Sequence, residues 1–141
     1  MSIVWLDNFS DYSFRIDSLS LNELFEEAAL GLTMAMADVS LSLVQKERHI
    51  GLVAENEDWL LMKWLNELVF LKDEKQFLVK KSAVKISKEK NKFVLRAAIS
   101  PVLLKDVSSQ QKKVDVKAVT WHNFGIKKTK KGFRAIIVLD V

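Results

Sequence analysis

Few side chains in this sequence have the reactivity to do chemistry. Of 141 residues none is cysteine, two are histidine and eighteen are acidic. The absence of cysteine excludes a thiolate zinc site, a cysteine nucleophile, a dithiol redox motif and a disulfide scaffold, and it fits a reducing compartment. His49 and His122 share no HExxH or other paired spacing, so an ordinary hydrogen-bonded role is the default for each. There is no Walker A loop, no GxGxxG and no GxSxG, hence neither a nucleotide cradle nor a nucleophile elbow. Carboxylates remain. Asp11 stands where a loop enters a strand, Asp38 follows a helix and Asp140 is the penultimate residue. Hard divalent cations take carboxylate, carbonyl and water oxygens, and the ends of elements offer all three. Gathered in space these acids make a cation site; singly, each reads as a cap or a solvated loop acid. A metal-assisted hydrolase also needs an open metal position and a general base, and no spacing here demands either.

The elements that must position these acids are legible in part. Ser20, Leu21, Asn22 and Glu23 form a capping box, after which Leu24, Phe25, Ala28, Leu32 and Ala35 recur at helical steps and predict a buried face. A second helix starts near Asn56, Glu57 and Asp58, where a cap and two acids suit the positive end of the dipole. Leu60, Leu61, Trp64, Leu65 and Leu68 mark its buried stripe. Trp59 and Trp64 read as core or rim packing rather than as base-stacking rings. Tyr12, Phe14 and Ile16 alternate with Ser13, Arg15 and Asp17 as in a half-buried strand. Further strands are expected at 41–54, 76–87, 92–99, 114–121 and 134–140, with hairpin turns at 88–91 and 130–132. The mixture lacks regular strand–helix alternation, so the expected class is α+β: a mostly antiparallel sheet of about six strands covered by two amphipathic helices. No linker or repeat divides the chain, which predicts one domain over 1–141.

Charge is distributed unevenly. The net charge is +4, but residues 1–71 hold four basic and twelve acidic residues, while 72–141 hold eighteen and six. The split fits one surface that attracts anions and another that holds cations, or equally two sets of solvated faces. Lys127, Lys128, Lys130, Lys131 and Arg134 flank Phe124 and Phe133, a hairpin suited to RNA contact, with lysines that protect a strand edge as the plainer reading. No apolar run reaches the ~20 residues of a membrane span, and the N-terminal residues lack the pattern of a secretory signal. These features predict a cytoplasmic protein with no membrane partner and no small-molecule substrate.

Five blocks in order resemble the archease family. Asn8, Phe9, Ser10 and Asp11, followed by Leu21 to Ala29, are similar to a His-Thr-Ala-Asp motif ahead of a Leu-x-Glu-Leu-Phe-x-x-Ala-Ala helix. Leu60 to Leu68 resembles the family's second helix, Asp115 to His122 its Glu-Val-Lys-Ala-x-Thr-Tyr-His strand, and Ile137 to Val141 its terminal strand. The resemblance implies a non-catalytic accessory protein of the RtcB-type RNA ligase, which joins a 2′,3′-cyclic or 3′-phosphate RNA end to a 5′-hydroxyl end in tRNA splicing and RNA repair. Its action there is to promote guanylylation and multiple turnover. It further implies a divalent cation site, calcium in the family, whose ligands fall at Asp11, Asp140 and Val141, with Asp38 at another acidic family position. Lys117, in the Val-Lys-Ala block, is expected either to contact a phosphate or the partner, or to pair with a nearby acid.

The sequence departs from the family pattern at four places. Asn8 stands for a histidine, Ser18 for a glycine, Val102 and Leu103 for a Gly-Glu pair, and Gln110 for a second histidine. Asn8 still hydrogen-bonds, but it does not titrate near neutral pH.

Overall fold

The structure is a computed structural model that describes residues 2–6 and 12–141. Eight described strands and two helices run in the order β1 (Ser2–Leu6), β2 (Ser13–Ser18), α1 (Leu21–Met36), β3 (Arg48–Ala54), α2 (Glu57–Lys75), β4 (Phe77–Glu89), β5 (Lys92–Leu103), β6 (Ala118–Thr120), β7 (Ile126–Lys128) and β8 (Phe133–Asp140), with a 3-10 turn at Leu104–Asp106. The α+β class is as expected, but the strands form two antiparallel sheets rather than one. A five-stranded sheet has the order β1-β2-β8-β6, with β7 also paired to β8, and a three-stranded sheet has the order β3-β5-β4. The buried apolar residues of both sheets and both helices form one continuous core. Among the described residues no helix is long and apolar enough to cross a membrane.

The helices follow their sequence signals. The Ser20 hydroxyl accepts from the Glu23 amide at 3.2 Å, and Asn56 Oδ1 accepts from the Trp59 amide at 2.8 Å, so both helix starts carry the side-chain cap their residue types predict. Leu24, Phe25, Ala28 and Leu32 of α1 meet Leu60, Leu61, Trp64 and Leu65 of α2 in the core. The Trp64 indole donates to the Phe25 carbonyl at 2.9 Å, which satisfies the polar end of a fully buried ring.

Polar residues on the helices also finish the sheet edges. Glu26 Oε2 and Asn22 Oδ1 of α1 accept from the amides of Val84 and Ile86 on β4, at 2.8 and 3.0 Å. On α2, Asn66 Oδ1 accepts from Val119 at 3.0 Å and Asp58 Oδ1 from Ile126 at 2.9 Å. Edge amides left bare would invite pairing with another chain, and these side chains occupy them.

Two expected strands are shorter than the sequence pattern. Residues 41–47 alternate like a strand yet form a loop, because the ladder between β3 and β5 ends at Arg48–Ile99 and Pro101 has no amide to extend it. Instead Gln45 donates to the Pro101 carbonyl at 2.8 Å, and Leu41 is left 92% exposed. The segment 114–121 is strand only at Ala118–Thr120, since the amides of Lys113 and Val114 are spent on the Met36 and Ala35 carbonyls at the end of α1. The sequence reading missed β1 and β7.

Candidate functional site

The antiparallel ladder between β2 and β8 sets the geometry at the end of the last strand. Its register pairs Ser13 with Val138 and Phe14 with Ile137, and beyond it the Leu139 amide donates to the Tyr12 carbonyl at 2.9 Å. On the other side of β8, Asp140 is paired with Ala118, and its carbonyl accepts from the Lys117 amide at 2.8 Å. Asp140 is exposed, and among the described residues none bonds to its carboxylate. Val141 is 42% exposed beside it. Asp11, the expected partner of Asp140, lies outside the described residues, as do Asn8 and the rest of its motif.

Asp38 lies in the turn after α1. Its Oδ1 accepts from the Ser40 amide at 3.0 Å and from the Ser40 hydroxyl at 2.7 Å, an Asx turn just past α1. These bonds, the hydroxyl first, hold the carboxyl below its ordinary value, with Lys113 adding to the effect. Its amide donates to Gln111, whereas the amide that reaches Asp140 is that of Lys117, six residues on. Among the described residues no group of three or more His, Asp or Glu side chains gathers in a metal-binding arrangement. The Lys117 side chain is exposed and forms no ion pair with a described residue; the nearby Asp115 is engaged by Lys72 instead, at 2.6 Å. His49 sits at the surface 3.4 Å from Glu47, and His122 is exposed at a strand end, so neither joins a carboxylate cluster of described residues.

The basic hairpin is divided by strand alternation. Register pairs Lys127 with Arg134 on one face of the sheet and Lys128 with Phe133 on the other, while Lys130 and Lys131 occupy the turn. The turn closes through Thr129, whose amide donates to Gly132 at 2.9 Å and whose hydroxyl accepts from the Gly132 amide at 3.1 Å. On the Lys127 face lies a groove of about 630 Å³ lined by Leu6, Arg15, Phe124, Lys127, Arg134 and Ile136, among others. Asp17 joins Arg134 at 2.6 Å and Arg15 at 3.1 Å. Partial burial opposes the charge on Asp17, but Arg134 and then Arg15 outweigh it, so the carboxyl is held below its ordinary value.

An aromatic trio adjoins this groove. Trp59 and Trp121 meet edge to face at 4.7 Å, and Trp121 meets Phe124 at 5.2 Å. Trp64 is in the core and Trp59, 51% exposed, packs at the rim, both within the expectation, while Trp121 is 48% exposed. The turn carrying Trp121 and Phe124 is held by Asp58, which bonds Ile126, and it bends through positive φ at Asn123 (53°) and Gly125 (152°). Sequence reasoning missed Arg15, Asp17 and Trp121 as neighbours of the hairpin. The alternation at 13–17 placed Arg15 and Asp17 on one face, but only the pairing of β2 with β8 brings that face to Arg134.

Comparison with known proteins gives the same assignment along the whole chain. Residues 5–141 match the model of the Archease protein family (MTH1598/TM1083). The chain is similar to the protein archease of Archaeoglobus fulgidus, 34% identical with all of both chains covered, and to that of Methanothermobacter thermautotrophicus, 31% identical over 97% of this chain and 96% of the relative. The solution structure of Methanobacterium thermoautotrophicum protein 1598 superposes with a TM-score of 0.81 at 29% identity, covering 99% of this chain and 98% of the other. A Thermotoga maritima crystal structure described as an archease, possible chaperone, shares the fold with a TM-score of 0.60 at 15% identity, covering 96% and 94%. A family model matched from residue 5 to the last residue, with relatives above 30% identity over nearly their full length, leaves one assignment: the chain belongs to the archease family.

Proposed function

We propose that this protein is a non-catalytic accessory factor that activates an RtcB-type RNA ligase, promoting its guanylylation and multiple turnover in tRNA splicing and RNA repair, by means of a bound divalent cation, calcium. The observation that carries this reading is the family match along 5–141. The site chemistry supports the cation part. Asp140 presents an exposed carboxylate, and the bond from Leu139 to Tyr12 brings the residue after Asp11 against the residue before Asp140. Oxygen donors of this kind suit calcium or magnesium and are poorly matched to softer metals. Asp11, Asp140 and Val141 would hold the ion, with Asp38 contributing from the turn after α1. Bound there, the ion supplies concentrated positive charge to a ligase centre that itself depends on divalent metal and guanosine triphosphate. Lys117, exposed next to Asp140, would meet a phosphate or the ligase surface. The protein acts where its ligase does, in the cytoplasm, as one domain spanning 1–141.

The test is multiple-turnover joining by the cognate ligase with and without this protein. Rising turnover number is the expected result, and a folded sample that leaves the ligase confined to a single turnover removes the reading.

A further inference from the structure

We propose that the outer face of the five-stranded sheet, with the aromatic trio at its edge, is a binding site for single-stranded polynucleotide, in which the basic groove of Arg15, Lys127 and Arg134 follows the phosphates and the adjoining rings of Phe124, Trp121 and Trp59 receive bases. Three observations converge on it. Register places Lys127 opposite Arg134, and Arg134 opposite Asp17, on one face, and Arg15 of the same face reaches the same carboxylate. Three cations there face Asp17, with Asp58 beside the turn at Gly125, so a positive surplus remains for an anion. The turn lysines Lys130 and Lys131 extend this surplus, since they line a second groove of about 380 Å³ that shares Arg134 with the first.

The second observation is apolar. Leu6, Phe124 and Ile136 line the groove beside its cations, a mixed lining suited to a ligand that is charged along one side and flat and apolar along the other. The third is the exposure of the tryptophans. A buried ring needs no further explanation, but two touching indoles each about half exposed are costly to leave in water. Bases stack on such rings with little regard to sequence. Phe124 belongs both to the groove and to the trio, so the phosphate path and the ring platform are contiguous. Asp58 fixes the turn by accepting from the Ile126 amide, and its carboxylate is a second negative charge beside the groove that the cations outnumber.

This inference is independent of the accessory reading, and its test uses the protein alone in chelator, without ligase or cation. Fluorescein-labelled oligouridylate and oligothymidylate of about eight nucleotides are titrated with the full chain by anisotropy at several salt concentrations. The expected result is binding that weakens with salt, by about 0.7 in log-log slope per phosphate contacted. Lys127→Ala should lower both affinity and slope. Trp121→Ala should lower affinity about ten-fold at unchanged slope, with Trp121→Phe recovering most of it. Lys85→Ala, on the other sheet, should stay within about two-fold. The RNA and DNA arms tell which sugar the site accepts. Should Trp121→Ala perturb folding, Lys130→Ala with Lys131→Ala, both exposed, tests the phosphate path instead and should lower both affinity and slope. No anisotropy change at low salt overturns the proposal, as does an equal loss in Lys85→Ala. Oligonucleotide affinity unchanged in both Lys127→Ala and Trp121→Ala would also overturn it.

Discussion

The amide of Leu139 donates to the carbonyl of Tyr12 at 2.9 Å, which joins the strand entering the fold to the strand leaving it. In an antiparallel ladder, residues directly opposite one another point to the same face. A cation site drawing on both Asp11 and Asp140 therefore requires the pairing to continue by a single step past Tyr12 and Leu139. A bound ion stabilises the native state by about 2.7 kcal/mol at a concentration 100 times its dissociation constant. Calcium should accordingly raise the Tm of the wild-type protein, and Asp11→Asn and Asp140→Asn should each abolish that rise. Asp38→Asn should diminish it less, because Ser40 already engages the Asp38 carboxylate. Thermal melts with calcium and with chelator check all three. An unchanged calcium response in Asp140→Asn would detach the cation from this end of the sheet.

Gly31, inside α1, makes a second point about close approach. A Cβ at this position would lie 2.4 Å from Cε2 and 2.7 Å from Cζ of Phe14, a fully buried ring. Replacing a helical glycine with alanine usually stabilises by about 1 kcal/mol. Here the overlap reverses the sign, and Gly31→Ala should destabilise by about 1–3 kcal/mol, the usual cost of overpacking. Urea melts of Gly31→Ala and of Gly31→Ala with Phe14→Leu provide the measurement, with the double variant recovering part of the loss.

The contrast between what could and could not be read along the chain follows from the range of each signal. Capping boxes and apolar stripes are local, so Ser20, Asn56 and the faces of both helices were legible. Strand alternation is local too, but strand length depends on a partner. The run 41–47 alternates yet finds no continuing ladder beyond Arg48, and Lys113 and Val114 give their amides to the end of α1. The candidate acid Asp140 was legible as the end of a strand, whereas its approach to Tyr12 is a contact between the two ends of the sequence. The basic hairpin was read as one cluster. The sheet divides it, sending Lys127 and Lys128 to opposite faces, and the cation that joins Lys127 is Arg15, more than a hundred residues earlier.

Glu27 is buried on α1, 8% exposed, and burial raises its pKa, with Glu23 and Glu26 adding to the rise. A carboxyl whose folded-state pKa exceeds its unfolded value of about 4.3 favours folding when protonated and opposes it when ionised. Its stabilising contribution is therefore present below the unfolded pKa and lost as pH rises through the folded one. Glu27→Gln removes this cost without changing shape. The variant should have a higher Tm than the wild type at neutral pH, and the difference should shrink to nothing below about pH 4. Parallel melts across that range check the sign, and a variant less stable at neutral pH would mean that the ionised Glu27 carboxylate is doing structural work through a favourable bond.

Lys72 shows how the Asp115 block is used in the fold. Its side chain is 7% exposed, and its Nζ lies 2.6 Å from Asp115, 3.0 Å from Asp73 and 2.6 Å from the Val116 carbonyl. Burial works against its charge, but the bonds to Asp115 and Asp73 outweigh it and raise the pKa. The stability it supplies is full below the unfolded lysine value of about 10.4 and falls away as pH climbs through the higher folded one. Because both carboxylates are largely in water, removing the lysine leaves them hydrated rather than stranded, so the loss comes from the charged hydrogen bonds and the stem packing. Lys72→Ala should cost about 1–3 kcal/mol and Lys72→Met less, since methionine restores the stem. Asp115→Asn should cost less again, with Asp73 still paired to the ammonium. The Lys72 anchor also holds the main chain of 115–116 just ahead of Lys117, whose amide bonds Asp140. Lys72→Met should consequently weaken the calcium-induced rise in Tm while keeping the fold, and an undiminished rise would show that the end of β8 is positioned without it.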